Sequence, residues 1–420
     1  MKNYNIKNYK KKISIYLNYI FILYAGTFVI NPSLGREFFY ILTVLWLIEG
    51  HIKTKFILIY KQKVLIFYTL MIIFFLLSLS LSNNFDNGYW SSKYTNGFKY
   101  LEKEKYFFIA FYLSTSLKQD YYKYVALSFF SQVLFVSIYS ICIHLQIFTG
   151  DKYSSITDPV VFLDHTHFSI LLATGLIFSI YIFLKEEKIL LKVLTLIVFS
   201  IIFTSLMLIA GRLGQLSFFV SLIFISGYYF YKKNRQKYFF ISLAVLCFSI
   251  LLIFNLSTTF RNRSLEGINN IQEVIKKKDY NSSWGVRIGL DILSYDYLTS
   301  DTKRFIFGAG MGDAKINIYN FAKKFEQNKL FLLKWEHVHN QFFQTWINGS
   351  IFGLISFLLL LYTFYRIKVS FKEKILIIGL LCIFIIDSIG NLIFHRLISI
   401  ELFGFVIGYC LSLENFKKSN

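Results

Sequence analysis

Long apolar runs separated by short, lysine-rich connections organise this chain from end to end. Stretches able to span hydrocarbon are centred at residues 13–30, 37–50, 64–82, 104–117, 124–148, 160–184, 189–209, 213–231, 238–257, 341–365, 375–390 and 397–413. Roughly 18 or more apolar residues cover the about 30 Å of a bilayer's hydrocarbon, so the pattern predicts twelve transmembrane helices, the second and fourth being the shortest. The expected fold class is an all-α polytopic membrane protein. One hydrophilic stretch breaks the pattern, residues 258–338, and it is far longer than an ordinary connection. Within it Leu265–Lys278 and Trp284–Leu298 space their apolar residues as helices do, and Phe307-Gly308-Ala309-Gly310-Met311-Gly312 predicts a compact turn. The chain thus divides into a membrane domain over 1–257, a mainly helical cap over 258–338 and a second membrane portion over 339–420.

Charge fixes an orientation for these helices. The 45 Lys and Arg outnumber the 24 Asp and Glu, giving a net charge of +21. In a soluble domain that excess suggests nucleic acid. Here it sits in the linkers Lys2–Lys12, Lys53–Lys63, Lys118–Lys123, Lys185–Lys192, Lys232–Lys237 and Arg366–Lys374 and in the tail at Lys417 and Lys418. That pattern sets topology and contact with anionic lipid, and it excludes a nucleic-acid partner. With twelve spans every basic linker falls on one side, which makes both termini cytoplasmic; adding or removing one helix scrambles the agreement. The opposite side then receives 31–36, 83–99, 149–159, the tight Ala210–Gly214 turn, the cap and 390–396. The basic N-terminus precedes an apolar run with no small-residue cleavage site after it, as in an uncleaved first span. Cys142, Cys247, Cys382 and Cys410 all lie in apolar runs without CxxC spacing, so neither a disulfide framework nor a metal knuckle is expected.

Candidate chemistry collects on that outer side. Trp335-Glu336-His337-Val338-His339-Asn340-Gln341-Phe342-Phe343-Gln344, followed by Gly349 and Gly353, crowds polar groups against the start of a membrane helix. Polar side chains there either face water or serve a purpose. His337 and His339, two apart, share one side of an extended segment or diverge by about 200° on a helix. A neutral imidazole can accept a proton from a sugar hydroxyl; histidines satisfied by water and headgroups are the plainer alternative. Gln344 and Trp346 could meet a sugar, Trp346 serving equally as an interface anchor. A second pair, Asp164-His165-Thr166-His167, opens the sixth run. Four histidines and an aspartate could bind zinc in principle, but the partner spacing of known sites is missing, and lining of a cavity or interface is the expected use. Arg212, flanked by Gly211 and Gly214, is either a snorkelling anchor or a phosphate-binding guanidinium. Positive charge is otherwise scarce in the short outer loops, which favours the second. Arg287 has Asp291 four residues on as a ready partner and by itself does not stand out from Arg261, Arg263 or Arg304. Asp387 and Glu401, in or near apolar runs, need partners, for which Arg396 or His395 is near enough.

Taken together, the twelve runs, the Ala210-Gly211-Arg212 turn, the large loop and His339-Asn340 opening the tenth helix resemble the O-antigen ligase and polymerase superfamily of bacterial envelope glycosyltransferases. Gly353 matches that family's helix signature in place, whereas Gly349 arrives one residue early, Ser350 stands in the glycine slot and Asn348 replaces the usual acid. The resemblance implies a GT-C-like fold in the bacterial inner membrane, the cap and active site facing the periplasm. It also implies an undecaprenyl-pyrophosphate-linked glycan donor and, as acceptor, lipid A-core or a second lipid-linked glycan, in lipopolysaccharide biosynthesis. Arg212 and Arg287 are then expected to hold the pyrophosphate and His339 to activate the acceptor hydroxyl, with His337, Asn340 and Gln344 around the substrate. No metal or other cofactor is expected, and attack in line predicts inversion at the anomeric carbon.

Overall fold

The computed structural model describes residues 2–82, 97–150, 154–325, 331–332 and 337–419. Most of the predicted outer loop 83–99, and Trp335 and Glu336 of the polar cluster, lie outside these. Regular structure among the described residues is helical, apart from one isolated bridge between Ser155 and Asp158. In the first half α1 is Lys2–Thr27, α2 Pro32–Glu49, α3 Ile52–Lys61, α4 Lys63–Ser80 and α5 Gly97–Lys103; a 3-10 turn Glu104–Phe108 leads into α6, Ile109–Ser116. There follow α7 (Tyr122–His144), α8 (His165–Lys185), α9 (Ile189–Leu208), α10 (Arg212–Lys232) and α11 (Gln236–Leu256). The cap holds α12 (Thr258–Lys277), α13 (Ser283–Thr299), α14 (Thr302–Phe307) and α15 (Ala314–Phe325), and the chain closes with α16 (Gln341–Tyr365), α17 (Phe371–Gly390) and α18 (Leu397–Ser419).

Each of the twelve predicted runs coincides with helix. Among the described residues eight helices, α4, α7 to α11, α16 and α18, are long and apolar enough to cross a membrane. The other four differ for visible reasons. α1 opens on a lysine-rich stretch, α2 carries Arg36, Glu37 and Glu49, and α17 carries Lys372, Glu373, Lys374 and Asp387. The fourth run is split into the 3-10 turn and the eight residues of α6.

The helices of the bundle pack mainly as α4 on α16, α10 on α17 and α8, α18 on α6, and α1 on α2 and α7. Small residues permit the closest approaches, as between membrane helices generally: a Cβ on Gly408 of α18 would lie 2.8 Å from the Ala110 Cα of α6. The cap has its own apolar core, in which Val286, Leu290 and Leu293 of α13 meet Ile318 and Ala322 of α15 and Val338 and Ile347 at the head of α16. The cap therefore rests on α16.

The two ends of the bundle differ in character. At one end Lys185 lies 3.8 Å from Glu373, Gln62 donates to Asn415 at 3.5 Å and Ser116 donates to Glu49 at 2.7 Å, which draws basic linkers together. At the other, Ala210 N–H donates to Asp158 at 2.8 Å, Asn391 reaches His167 at 3.4 Å and Phe394 N–H donates to Gln341 at 3.1 Å. The polar cluster and the cap belong to this second end.

α16 is broken within its length, at Gly349 (φ −121°, ψ 15°) and Ser350 (φ 69°, ψ 174°). The Ile347 carbonyl accepts from the Ala309 and Gly310 N–H groups at 2.9 and 3.1 Å. Gly308, at φ 74°, fits so tightly that a Cβ would stand 2.5 Å from the Ile347 and Trp346 carbonyl oxygens. The predicted compact turn thus docks onto the break, and Trp346 Nε1 fastens it by donating to the Phe305 carbonyl at 2.7 Å. A backbone with positive φ and ψ near 180° is almost confined to glycine and strains other residues by about 1–3 kcal/mol. Ser350, in the slot where the resembled family has glycine, bears that strain. Ser350→Gly is expected to stabilise the protein by about 1 kcal/mol, read as a higher unfolding temperature in detergent; an unchanged or lower one places no strain at Ser350.

Candidate active site

The candidate site is assembled from four parts of the chain. The first is the head of α10. Gly211 and Gly214 press against α8 so closely that a Cβ on either would lie 2.4 Å from Ser169 atoms, and the Gly214 N–H donates to Ser169 Oγ at 3.2 Å. The glycines admit the neighbouring helix and aim Arg212 at the cap. Its Nη2 lies 3.4 Å from Glu266 Oε1 of α12. Its Nη1 is buried with no hydrogen-bond partner among the described residues. Gly267 leaves room beside it, for a Cβ there would be 3.2 Å from Nη1. A lipid-facing snorkel does not describe this side chain.

The second part is α13, started by Ser282, whose Oγ accepts from the Gly285 N–H at 3.1 Å. Arg287 stands in its second turn, the guanidinium 5.9 Å from the Trp284 ring centroid. The i,i+4 pair with Asp291 is not made. Asp291 Oδ2 accepts instead from Asn340 Nδ2 at 3.1 Å, while Arg287 Nε and Asp291 Oδ1 are buried without hydrogen-bond partners among the described residues. Burial, then the nearby Arg212 charge, loosen the Arg287 proton, with Asp387 opposing; a guanidinium stays charged at neutral pH all the same. Burial pushes the Asp291 carboxyl up to about 6 against the hydrogen bond from Asn340.

The third part, residues 337–340, runs into α16. Asn340 caps the helix, its Oδ1 accepting from the Phe342 and Phe343 N–H groups at 3.0 and 3.3 Å. Gln344 accepts from the Val338 N–H and donates to Asn348, both at 3.0 Å. Both amides are thus engaged inside the protein, where they hold the histidine segment in place. The fourth part is the turn after α17, tied in by the Phe394–Gln341 bond and by Lys103 Nζ donating to the His395 carbonyl at 3.1 Å. It sets His395 against His337, ring centroids 4.4 Å apart, with His339 4.7 Å beyond His337. Burial, then the Arg287 and Arg396 charges, push His339 down to about 4. Burial, then Lys103 and Arg396, push His395 to about 3, and burial with the neighbouring histidines takes His337 well below its ordinary value. All three imidazoles are therefore neutral near pH 7 and can accept a proton or a hydrogen bond.

The second histidine pair braces this assembly from behind. Asp164 caps α8, accepting from the Thr166 and His167 N–H groups, and His167 Nδ1 donates to it at 2.8 Å. Asn391 bridges His167 to Asp387, at 3.4 and 3.3 Å. Asp387 thus bonds Asn391, one turn along, rather than Arg396 or His395, because the chain leaves helix at Asn391 and turns away. His165 is exposed, 3.5 Å from Asp158. Among the described residues no group of three or more His, Cys, Asp or Glu is arranged to hold a metal ion.

The structure therefore gathers Arg212, Arg287, His337 and His339 at the cap–bundle junction. It engages Asn340 and Gln344 as supports, and it adds Asp291, His395 and Arg396, which the sequence pattern offered only as charge partners, and Lys103, which it did not single out. Residues 197–358, from α9 through the cap to the middle of α16, match the family model described as O-antigen ligase.

Over that span the chain is similar to the O-antigen ligase family.

The matched span contains Arg212, Arg287, Asp291, His337, His339, Asn340 and Gln344, so the resemblance read from the Gly-Arg turn and the His-Asn helix start falls within the O-antigen ligase and polymerase superfamily. Among curated proteins none matches the chain. The eight apolar helices suit a membrane protein, and the matched family implies lipid-linked glycans in general and glycosyltransferase-like activity.

Proposed function

We propose that this protein is a ligase-type glycosyltransferase that moves a glycan from undecaprenyl pyrophosphate to a sugar hydroxyl of lipid A-core. The observation that carries this reading is two part-buried guanidiniums, Arg212 and Arg287, each with one buried nitrogen that has no hydrogen-bond partner among the described residues, beside the neutral imidazole of His339. Two planar forks suit the oxygens of a pyrophosphate, and their charge stabilises the negative charge that grows on it as the anomeric bond breaks. They supply what a divalent cation would otherwise supply, so the proposed chemistry calls for none. His339 accepts the proton of the acceptor hydroxyl, whose oxygen attacks opposite the departing phosphate, and the product is inverted. Asn340 and Gln344 hold His339 in register, and His337 walls the recess.

In this reading twelve helices cross the inner membrane, both termini are cytoplasmic and the 258–338 cap is periplasmic. Its support is that the basic linkers gather at the end of the bundle opposite the recess. A polymerase, whose acceptor is a second lipid-linked repeat unit, would use the same groups. A passive lipid-glycan transporter would not require one histidine and two arginines in a single recess.

Deletion of the gene separates these. The ligase reading predicts lipopolysaccharide core without any attached chain, and polymer accumulating on the lipid carrier. Core bearing a single repeat would identify the polymerase, and an unchanged ladder would reject both.

A further inference from the structure

Arg212 and Arg287 are not alone as guanidiniums at the cap–bundle junction. Arg263 and Glu266 stand three residues apart on α12, so they share one face of that helix. Glu266 divides its carboxylate between two arginines: Oε2 lies 2.9 Å from Arg263 Nη1, and Oε1 lies 3.4 Å from Nη2 of Arg212 at the head of α10. The α12 backbone closes in on the same place, for a Cβ on Gly267 would lie 3.2 Å from Arg212 Nη1 and 3.9 Å from the Trp284 indole nitrogen. The Trp284 ring is in turn the one that the Arg287 guanidinium approaches, at 5.9 Å. Arg263 acts electrostatically on Arg212, and Arg212 on Arg287. One carboxylate thus stands at a row of three guanidiniums and joins two of them.

The Glu266 contacts are those of a pair that can be exchanged. A guanidinium binds a carboxylate best through two parallel bonds of about 2.7–2.9 Å. Arg212 receives one oxygen at 3.4 Å, and its Nη1 is buried with no hydrogen-bond partner among the described residues. The Glu266 side chain is 44% exposed, so water can take up its charge at little cost, and exposed pairs of this kind contribute little to stability. Nor does the fold need the pair, because α12 is seated by Phe260 in the bundle core and by Val274 in the cap core. A diphosphate carries more charge and more oxygens than one carboxylate and can face several guanidinium forks at once.

We propose that Glu266 competes with the donor's diphosphate for Arg212 and Arg263, and that Arg263 becomes a third guanidinium on the diphosphate when the carboxylate yields. The inference rests on the arginine-bound pyrophosphate of the reading above. Exchange of one anion for the other keeps both arginines neutralised throughout. Donor affinity is then set by how firmly Glu266 holds them, and the returning carboxylate helps to expel the spent carrier.

Glu266→Gln, which keeps the size and removes the charge, separates competition from bracing. Binding of undecaprenyl pyrophosphate to the full chain in nanodiscs is measured for wild type, Glu266→Gln, Arg263→Ala and Arg212→Ala. Competition predicts that Glu266→Gln binds about 5-fold more tightly, the equivalent of one exposed ion pair released. A carboxylate that merely braces Arg212 would give weaker binding instead. Arg263→Ala is expected to bind about 10-fold more weakly, as one charge-assisted contact is lost, and Arg212→Ala to lose the ligand. Glu266→Gln no tighter than wild type, or Arg263→Ala no weaker, beside an Arg212→Ala protein that has lost the ligand, overturns this inference alone. An Arg212→Ala protein that binds as tightly as wild type overturns the arginine reading beneath it as well.

Discussion

Arg287→Ala is expected to lower glycan transfer by about 10²–10³-fold or more, the loss typical when one preorganised charge donor is taken from a developing anion, while the protein remains folded in the membrane. Folding survives because Arg287 makes no ion pair that the fold needs. Its Nε has no hydrogen-bond partner among the described residues, the charges that act on it are Arg212 and Asp387, and its guanidinium lies 5.9 Å from the Trp284 ring centroid. Two like charges held together in a buried recess are a cost in the absence of an anion, so the substitution is expected to leave the unfolding temperature unchanged or raised. Arg287→Lys should recover little, since a point charge cannot present the bidentate fork. Arg212→Ala should behave alike, and the double variant should lose less than the product of the two, because groups that act on one anion are not additive. Near-normal transfer by Arg287→Ala would remove the arginine from the chemistry. Loss of the folded protein would make it structural.

His339→Ala is expected to cost about 10²–10⁴-fold in turnover, the range of a positioned general base, with little change in donor binding. The split between turnover and affinity separates His339 from the arginines, which act on the donor. His337→Ala should be milder on this account, for His337 is buried among His395, His339 and the cap core and is farther along the stack from Arg287. Turnover by His339→Ala at the wild-type rate would refute the base assignment.

The helices were readable because apolar runs and lysine linkers are local signals. All twelve runs are helical, and contacts join the Lys53–Lys63, Lys185–Lys192 and Arg366–Lys374 connections with the C-terminal helix. The Gly-Arg turn was readable too, although its glycines admit α8 rather than a ligand. What the sequence did not disclose depends on contacts between distant segments. Asp291 has the spacing of a helical ion pair with Arg287, and only the approach of Asn340 from the cap–bundle junction diverts it. His395 lies 58 residues past His337 in the chain, and the bonds from Phe394 N–H to Gln341 and from Lys103 to the His395 carbonyl bring it against His337. Gln344 and Asn340 sit where sugar-binding amides would sit, yet the geometry of a helix start consumes them first. The displaced glycine had a meaning that no spacing rule gives: the left-handed position falls at 350, and Gly349 instead makes room for the Phe75 ring, 2.5 Å from where a Cβ would stand.

The central claim is that this one chain transfers a lipid-linked glycan by means of an arginine-bound pyrophosphate. It is tested most directly by reconstituting the purified protein in liposomes with a labelled undecaprenyl-pyrophosphate glycan, a lipid A-core acceptor and a chelator. Label is expected on the acceptor with inverted anomeric configuration, with one undecaprenyl pyrophosphate released per transfer, and none of this with Arg287→Ala. Retained configuration, or transfer that proceeds equally well without Arg287, would contradict it.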